Sequence, residues 1–492
     1  MGGVAYSYNP ATGNLETITA PDGGTLNYTW DGFLLTGTTW IGAITGSVTR
    51  THNADLQVSS LTVNGDTISL AYDADSLLTQ TGSLTIARDS QNGLVTDTVL
   101  GSITTSQAYS TFGEVSQFTA SYGGSALLDV QYTRDNLGRV TGKTETVEGE
   151  THTYVYTFDP AGRLTEVKKD GAVVSQYTYD SNSNRVGAQR AAPLFSVTGT
   201  YDQQDRLLSV ISSPLGGGGL GGGVTYTYTA NGELQSKADT ATSQTTVFEY
   251  DLLGNLRSVV LSDNTLIEYL IDGRNRRIGK KVNGVLTQGF LYQDQLKPIA
   301  ELDASGNVTA RFVYGSKANV PEYMVKGGQT YRIITDHLGS PRLVVNASDG
   351  SVAQRMDYDE FGNVLQDTNP GFQPFAFAGG LYDSQTKLTR FGARDYDPEV
   401  GRWTAKDPIG FAGGDVNLYG YVLHDPVNLT DSSGLSGSWW GKLLEGGHIL
   451  ELLYSNLVNV PGADWSQKEQ ERWERDRQEI REFNERITKG GL

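Results

Sequence analysis

One short phrase recurs along most of this 492-residue chain: Tyr-x-Asp-x-x-Gly-Arg/Asn-Leu/Val. It is clearest in "QYTRDNLGRVTGK" from Gln131, "YTFDPAGRLTEV" from Tyr156, "YTYDSNSNRVGA" from Tyr177, "FEYDLLGNLRSV" from Phe248 and "YLIDGRNRRIG" from Tyr269. Anchored on Tyr132, Tyr156, Tyr179, Tyr201, Tyr228, Tyr250 and Tyr269, the intervals are 24, 23, 22, 27, 22 and 19 residues. Looser copies begin at Tyr6, Leu70 and Tyr109, and a later one at Asp357. A period of this size marks a repeat architecture, in which one unit cannot bury its own apolar face and must stack on its neighbours.

Each copy reads as a β-hairpin. Alternating Tyr, Val, Thr and Phe suit a pleated strand. Asp followed by Gly is turn chemistry, since Asp caps its own backbone and Gly accepts positive φ. Successive hairpins pair edge to edge. The expected fold is mainly β, a spiral of such hairpins forming a hollow cocoon or partial shell, because so many strands twist and cannot stay flat. A β-propeller and an open solenoid are the alternatives. The run "GGGGLGGG", Gly216 to Gly223, reads as a flexible hairpin tip. A phosphate-binding loop would end in Lys-Ser/Thr, whereas Val224-Thr225 follows here.

Composition excludes several function classes. The net charge of −18 argues against nucleic acid or an anionic membrane as a partner of the whole surface. With no cysteine there is no disulfide, thiolate nucleophile or Cys-based zinc site. The five histidines, among them His52, His152, His337 and His424, show no ligand spacing, so neither metal nor cofactor is expected. No stretch reaches the ~18 apolar residues of a membrane span. "MGGVAYSYNP" has neither the charged nor the apolar region of a signal peptide, and the chain enters patterned sequence as a trimmed beginning would.

From Ile334 the sequence is more specific. "ITDHLGSPRLVV", "FGARDYDPEVGRWTAKDPIGF" and "NLYGYVLHDPVNLTDSSGL", with the Tyr-Asp repeats, resemble the RHS/YD-repeat proteins and their RHS-associated core domain. Members include the C components of insecticidal Tc toxins, type VI Rhs effectors, wall-associated polymorphic toxins and animal teneurins. The resemblance implies three parts: a YD-repeat β-shell over 1–333, a core domain closing it over 334–435, and a variable segment over 436–492. It further implies that the shell holds its own C-terminal segment as cargo, that a shell-completing or delivery protein is a partner, and that the chain is secreted or injected after a cytoplasmic stage.

In self-cleaving relatives the core domain is an aspartyl autoprotease that cuts after the Leu of Asp-Pro-x-Gly-Leu. Carried onto this chain, the resemblance makes Asp407 of "KDPIG" and Asp431 of "DSSGL" the catalytic pair and puts the cut between Leu435 and Ser436. Arg402 of "GRW" is a candidate to orient an acid or a carbonyl. Two close carboxylates split their proton affinities, which supplies one base and one acid for peptide hydrolysis. The chain departs from the pattern at Ser432, where relatives have Pro, and at His424-Asp425-Pro426, where they have Asn-Asn-Pro. Apart from the resemblance, Asp407 and Asp431 also read as turn caps.

After Leu435 the composition changes. "WWGKLLEGGHILELLYSNLVNV" reads as an apolar helical stretch, and its His448 as a packing residue. "SQKEQERWERDRQEIREFNERI" reads as an amphipathic helix, capped by Ser466 and Glu469, with Trp473, Ile480, Phe483 and Ile487 on one stripe and Gly490 ending it. Three functions follow: a self-cleaving shell that encloses an effector segment, a structural or adhesive shell that is never cut, and, with least support, a carbohydrate-active enzyme on a β-scaffold.

Overall fold

The computed structural model describes residues 3–191, 194–214, 222–317 and 319–435. Ser436, the two helices expected beyond it and most of the glycine run lie outside the described residues. The strands flanking that run, Leu207–Pro214 and Gly223–Tyr228, pair antiparallel.

From Ala5–Tyr8 to Val364–Asp367 the described chain is one 34-stranded sheet in which each strand pairs antiparallel with the next. This is a continuous meander and not a set of propeller blades. The boundary expected between residues 333 and 334 falls inside the strand Gln329–Thr335, and the sheet runs straight through it. No helix among the described residues is long and apolar enough to cross a membrane.

The repeat phrase builds one edge of this sheet. Asp135 Oδ1 accepts from the backbone N–H of Leu137 and of Arg139, both at 3.0 Å, while its Oδ2 accepts from Arg139 Nε at 2.8 Å. The same closure recurs at Asp159, Asp202 and Asp272 with an arginine, and at Asp180, Asp251 and Asp359 with an asparagine. That double grip explains the Arg/Asn of the phrase. Gly138, at φ +78°, supplies the left-handed step, which Ser183, Asp205 and Asn275 take in other copies. A bulge precedes each such turn, as between Thr133 and Arg134, and bends the strand. The opposite edge uses two-residue turns with both residues at positive φ, such as Asn64-Gly65, Asp170-Gly171 and Asn283-Gly284, the form that matches strand twist.

The aromatic residue just before the turn joins one repeat to the last. Its hydroxyl donates to a carbonyl of the preceding hairpin: Tyr72 to Val58, Tyr109 to Val95, Tyr179 to Leu164, Tyr201 to Arg185, Tyr292 to Arg277 and Tyr314 to Pro298, at 2.6–2.9 Å. The turn arginine lies over the next ring, Arg139 on Phe158 at 4.8 Å and Arg163 on Tyr179 at 4.9 Å.

The sheet coils back on itself. Arg50 donates to Gln293 O, Arg311 to Leu61 O, Arg332 to Thr98 Oγ1 and Tyr122 to Ser348 O, joining residues 226 to 250 positions apart. Ile18, Leu26, Trp40 and Val48 share a core with Leu291, Ile299 and Leu302. Residues after 370 pack on the same sheet: Tyr269 donates to Asp383 at 2.6 Å, and Tyr228 meets Tyr419 with ring centroids 6.0 Å apart.

The turn carboxylates differ in burial, and this sets their importance. Asp272 and Arg276 are each 4% exposed, whereas Asp135 is 27% exposed. Asp272→Ala, which strands a buried guanidinium, is expected to cost roughly 3–5 kcal/mol in urea unfolding. Asp135→Ala, where water replaces the carboxylate, is expected to cost about 1 kcal/mol.

Candidate active site

The last described segment, Asp431 to Leu435, lies against a small four-stranded sheet made of Leu381–Tyr382, Thr389–Phe391, Arg394–Asp397 and Arg402–Trp403. Two glycines permit the contact. A Cβ on Gly392 (φ +40°) would stand 2.2 Å from Ser433 O, and one on Gly434 (φ +66°) 2.4 Å from Phe391 O. The Ala393 N–H donates to Ser433 O at 2.8 Å, so the Asp431–Leu435 segment sits flush on the turn between two strands.

Strand Arg394–Asp397 divides its side chains between two faces, as any strand does. Asp395 and Asp397 turn toward the repeat sheet: Asp395 receives Arg277 at 2.7 Å and Arg390 at 2.9 Å, and Asp397 receives Lys237 at 3.2 Å. Tyr396 joins Phe391, Trp403 and Tyr421 in an aromatic cluster on the other face. Arg394 lies with it, its guanidinium 4.2 Å from the Trp403 ring centre.

Arg394 ties the site together. Its Nη2 is 2.8 Å from Asp407 Oδ2 and 3.3 Å from Asp431 Oδ2, and its Nε donates to Gly434 O at 2.5 Å. The other oxygen of Asp431 accepts from Ser433 Oγ at 2.9 Å and from the Leu435 N–H at 3.2 Å. A Cβ on Gly413 would stand 2.7 Å from Asp407 Oδ2 and 3.2 Å from Leu435 O. The Asp407 carboxylate and the Leu435 carbonyl therefore converge over one glycine.

Burial pushes the Asp407 carboxyl above the ordinary carboxylate range; Arg394 and the Ile409 N–H oppose the shift, while Asp431 and Asp415 add to it. Asp415 is raised as well, chiefly by burial, and its Oδ2 is a buried atom with no hydrogen-bond partner among the described residues. The arrangement is chemically that of buried carboxyls beside a peptide carbonyl, arranged around one buried cation.

The structure brings Asp407, Asp431 and Leu435 together; Ser436 lies outside the described residues. Arg402 requires a correction. Its guanidinium donates to Asp205 O and lies 5.0 Å from the ring centres of both Tyr201 and Tyr419, away from the two acids. Arg394, in the same stretch, is the arginine that meets both acids, and Asp415 is the other residue that sequence reasoning missed. Both stand inside quoted or adjoining signature residues, "FGARDYD" and "GGDVN", but nothing in their spacing separates them from the neighbouring charges. Among the described residues no three His, Asp or Glu side chains are placed to hold a metal ion.

The histidines nearby pack. His337 Nε2 is 2.8 Å from Val427 O, and its ring lies against Tyr132. His424 is fully buried at φ +59°. Burial, then Arg185, Arg402 and Arg163, push its imidazole down to about 3.

A meander of Tyr-Asp hairpins coiling back on itself, with a buried carboxylate cluster at its C-terminal end, defines a YD-repeat shell protein. The family model described as Teneurin YD-shell matches residues 1–427, and the chain belongs to that family. It is 29% identical to teneurin-1 of Gallus gallus over 358 residues, 68% of this chain and 12% of that protein. It is 30% identical to teneurin-3 of Mus musculus over 321 residues, 61% of this chain and 11% of that one. It is 26% identical over 281 residues to the tRNA3(Ser)-specific nuclease WapA of Bacillus spizizenii, 55% of this chain and 11% of that one. The chain thus spans about a tenth of the length of these curated relatives. Among solved structures, the TcdB2-TccC3 complex without its hypervariable C-terminal region is similar at 14% identity and a TM-score of 0.49, over 88% of this chain and 27% of that one.

The buried neutral imidazole has a measurable consequence. His424 binds its proton near 6.5 when unfolded and near 3 when folded, so its contribution is complete above pH 6.5 and is lost as the pH falls toward 3. His424→Asn, which keeps a residue tolerant of positive φ, is expected to remove roughly 2–3 kcal/mol of the stability lost between pH 7 and pH 4.5, read from urea unfolding at the two pH values.

Proposed function

We propose that this chain is the encapsulating shell of an RHS-type protein that cleaves itself after Leu435 and so frees residues 436–492, its own cargo, inside the shell. The observation that carries this reading is the meeting of Asp407, Asp431 and Arg394 at the Gly434-Leu435 backbone. In the proposed step Asp431 takes a proton from a water molecule whose oxygen attacks the Leu435 carbonyl carbon. Asp407, whose proton affinity burial raises, donates in its protonated form to the carbonyl oxygen over Gly413. The tetrahedral centre then collapses, the Leu435–Ser436 bond breaks, and a proton passes to the Ser436 amine. One water is consumed, leaving a carboxylate on Leu435 and an amine on Ser436. Gly434 O on Arg394 Nε holds the phrase while this happens.

On this reading the chain is secreted or injected, and a shell-completing or delivery protein is its partner. A shell that is never cut, adhesive in the manner proposed from the teneurin likeness, is the competing reading; Ser432 in place of Pro favours it.

The two readings part on an intact mass. Wild type is expected to give two fragments under denaturing conditions, the smaller with Ser436 at its N-terminus, and one assembly under native conditions. Asp407→Asn and Asp431→Asn are each expected to remain full length. A wild type that stays a single full-length chain while folded rejects self-cleavage and favours the uncut shell. Since the step needs Asp407 protonated, the rate is expected to fall as the pH rises through its elevated titration.

A further inference from the structure

A cavity of about 40 Å³ lies beside the cleavage phrase, walled by Arg277 and Gln295 from the repeat sheet, by Arg390 and Gly392 from the small sheet, and by Ser432. Four of these residues each carry a buried polar atom with no partner among the described residues: Arg277 Nε, Arg390 Nε, Gln295 Oε1 and Ser432 Oγ. Several of their other polar atoms are engaged. Arg277 Nη2 is on Asp395 at 2.7 Å, Arg390 Nη1 and Nη2 are on Asp395 and Asn255 at 2.9 and 2.8 Å, and Gln295 Nε2 donates to Arg274 O at 2.9 Å. The last bond fixes the amide so that its oxygen is the atom left over.

Buried polar groups are satisfied in folded proteins, and four orphans around one small space call for one shared ligand. The set is two N–H donors, one carbonyl acceptor and one hydroxyl that does either. An anion would meet the Gln295 oxygen, although Asp395 offsets only one of the two guanidinium charges. A cation would meet the two N–H groups. Water, which donates and accepts, matches every member. At ~10–15 Å³ for each molecule, the cavity has room for about three.

We propose that this cavity holds an ordered water cluster and that Ser432, through it, is a positioning residue fastening the cleavage phrase to the repeat sheet. Its role in cleavage rests on the self-cleavage reading; the cluster itself does not. Where relatives hold the phrase with the fixed φ of proline, this chain holds it with a hydroxyl on buried water. The cluster spans from Arg277 of the strand Arg277–Val282 to the residue next to Asp431, so the acid is located relative to the coiled wall.

A high-resolution crystal structure of the full chain, together with cleavage time courses of Ser432→Ala and Ser432→Thr, tests this. Expected are ordered waters within hydrogen-bond distance of Ser432 Oγ, Gln295 Oε1 and both Nε atoms. Ser432→Ala is expected to cleave about three- to tenfold more slowly with an unchanged pH profile, the factor typical of one lost hydrogen bond, and Ser432→Thr to restore the rate. A dry cavity, an ion in it, or side chains turned to pair directly overturns the cluster. A Ser432→Ala that cleaves at the wild-type rate overturns the positioning role. If wild type never cleaves, the cleavage reading and Ser432's role in it fall, and the crystal structure alone still decides for or against the cluster.

Discussion

The carboxylate that closes each hairpin is the interaction on which the rest of this molecule depends. One Asp uses one oxygen to satisfy two backbone N–H groups and the other to hold the Arg or Asn four residues on, as at Asp135, Asp202 and Asp272. A turn closed by its own side chain needs no tertiary partner to have a defined shape, so every repeat leaves its turn in the same direction. The ring before it then donates to the previous hairpin, Tyr292 to Arg277 O and Tyr314 to Pro298 O. Local geometry and the link to the next unit are therefore written in the same few residues. With a bulge at one edge and a tight two-residue turn at the other, the two edges are unequal, and a long meander of unequal edges coils.

This explains what could be read from sequence and what could not. The hairpin was legible because Tyr, Asp, Gly and Arg act within about five residues of each other or on the neighbouring repeat. The return of the sheet was not, because Arg50 to Gln293 and Arg311 to Leu61 join positions more than 240 residues apart that share no pattern. Asp407 and Asp431 came from family motifs and not from spacing, and coiling alone could show them on one guanidinium. The choice of arginine turned on strand faces. Arg394 and Arg402 sit on paired strands of the small sheet. Which of them points to the carboxylates depends on register against the wall, and Arg402 is drawn off by Asp205 and two tyrosine rings.

Burial does a second thing at that site. Asp407, Asp415 and Asp431 share one cation, and Arg394 is spread over two of them as well as the Gly434 carbonyl. In an exposed cluster water would screen the carboxylates and each would ionise as usual. Here desolvation dominates for Asp407 and Asp415, and both are raised. Burial thus raises the proton affinity of two acids beside a peptide carbonyl.

The strand Arg394–Asp397 makes the site a consequence of the coil. Asp395 is held by Arg277, and Asp397 by Lys237, both from repeat hairpins. Asn255, from a third hairpin, holds Arg390. Asp397 is paired by a repeat hairpin, and Asp395 both by a repeat hairpin and by Arg390 of the small sheet, on the face of the strand opposite Arg394. Unwound, the same segment would carry Arg390, Arg394, Asp395 and Asp397 in water with nothing to select a face. The coiled wall and the carboxylate cluster are held from the two sides of one four-residue strand.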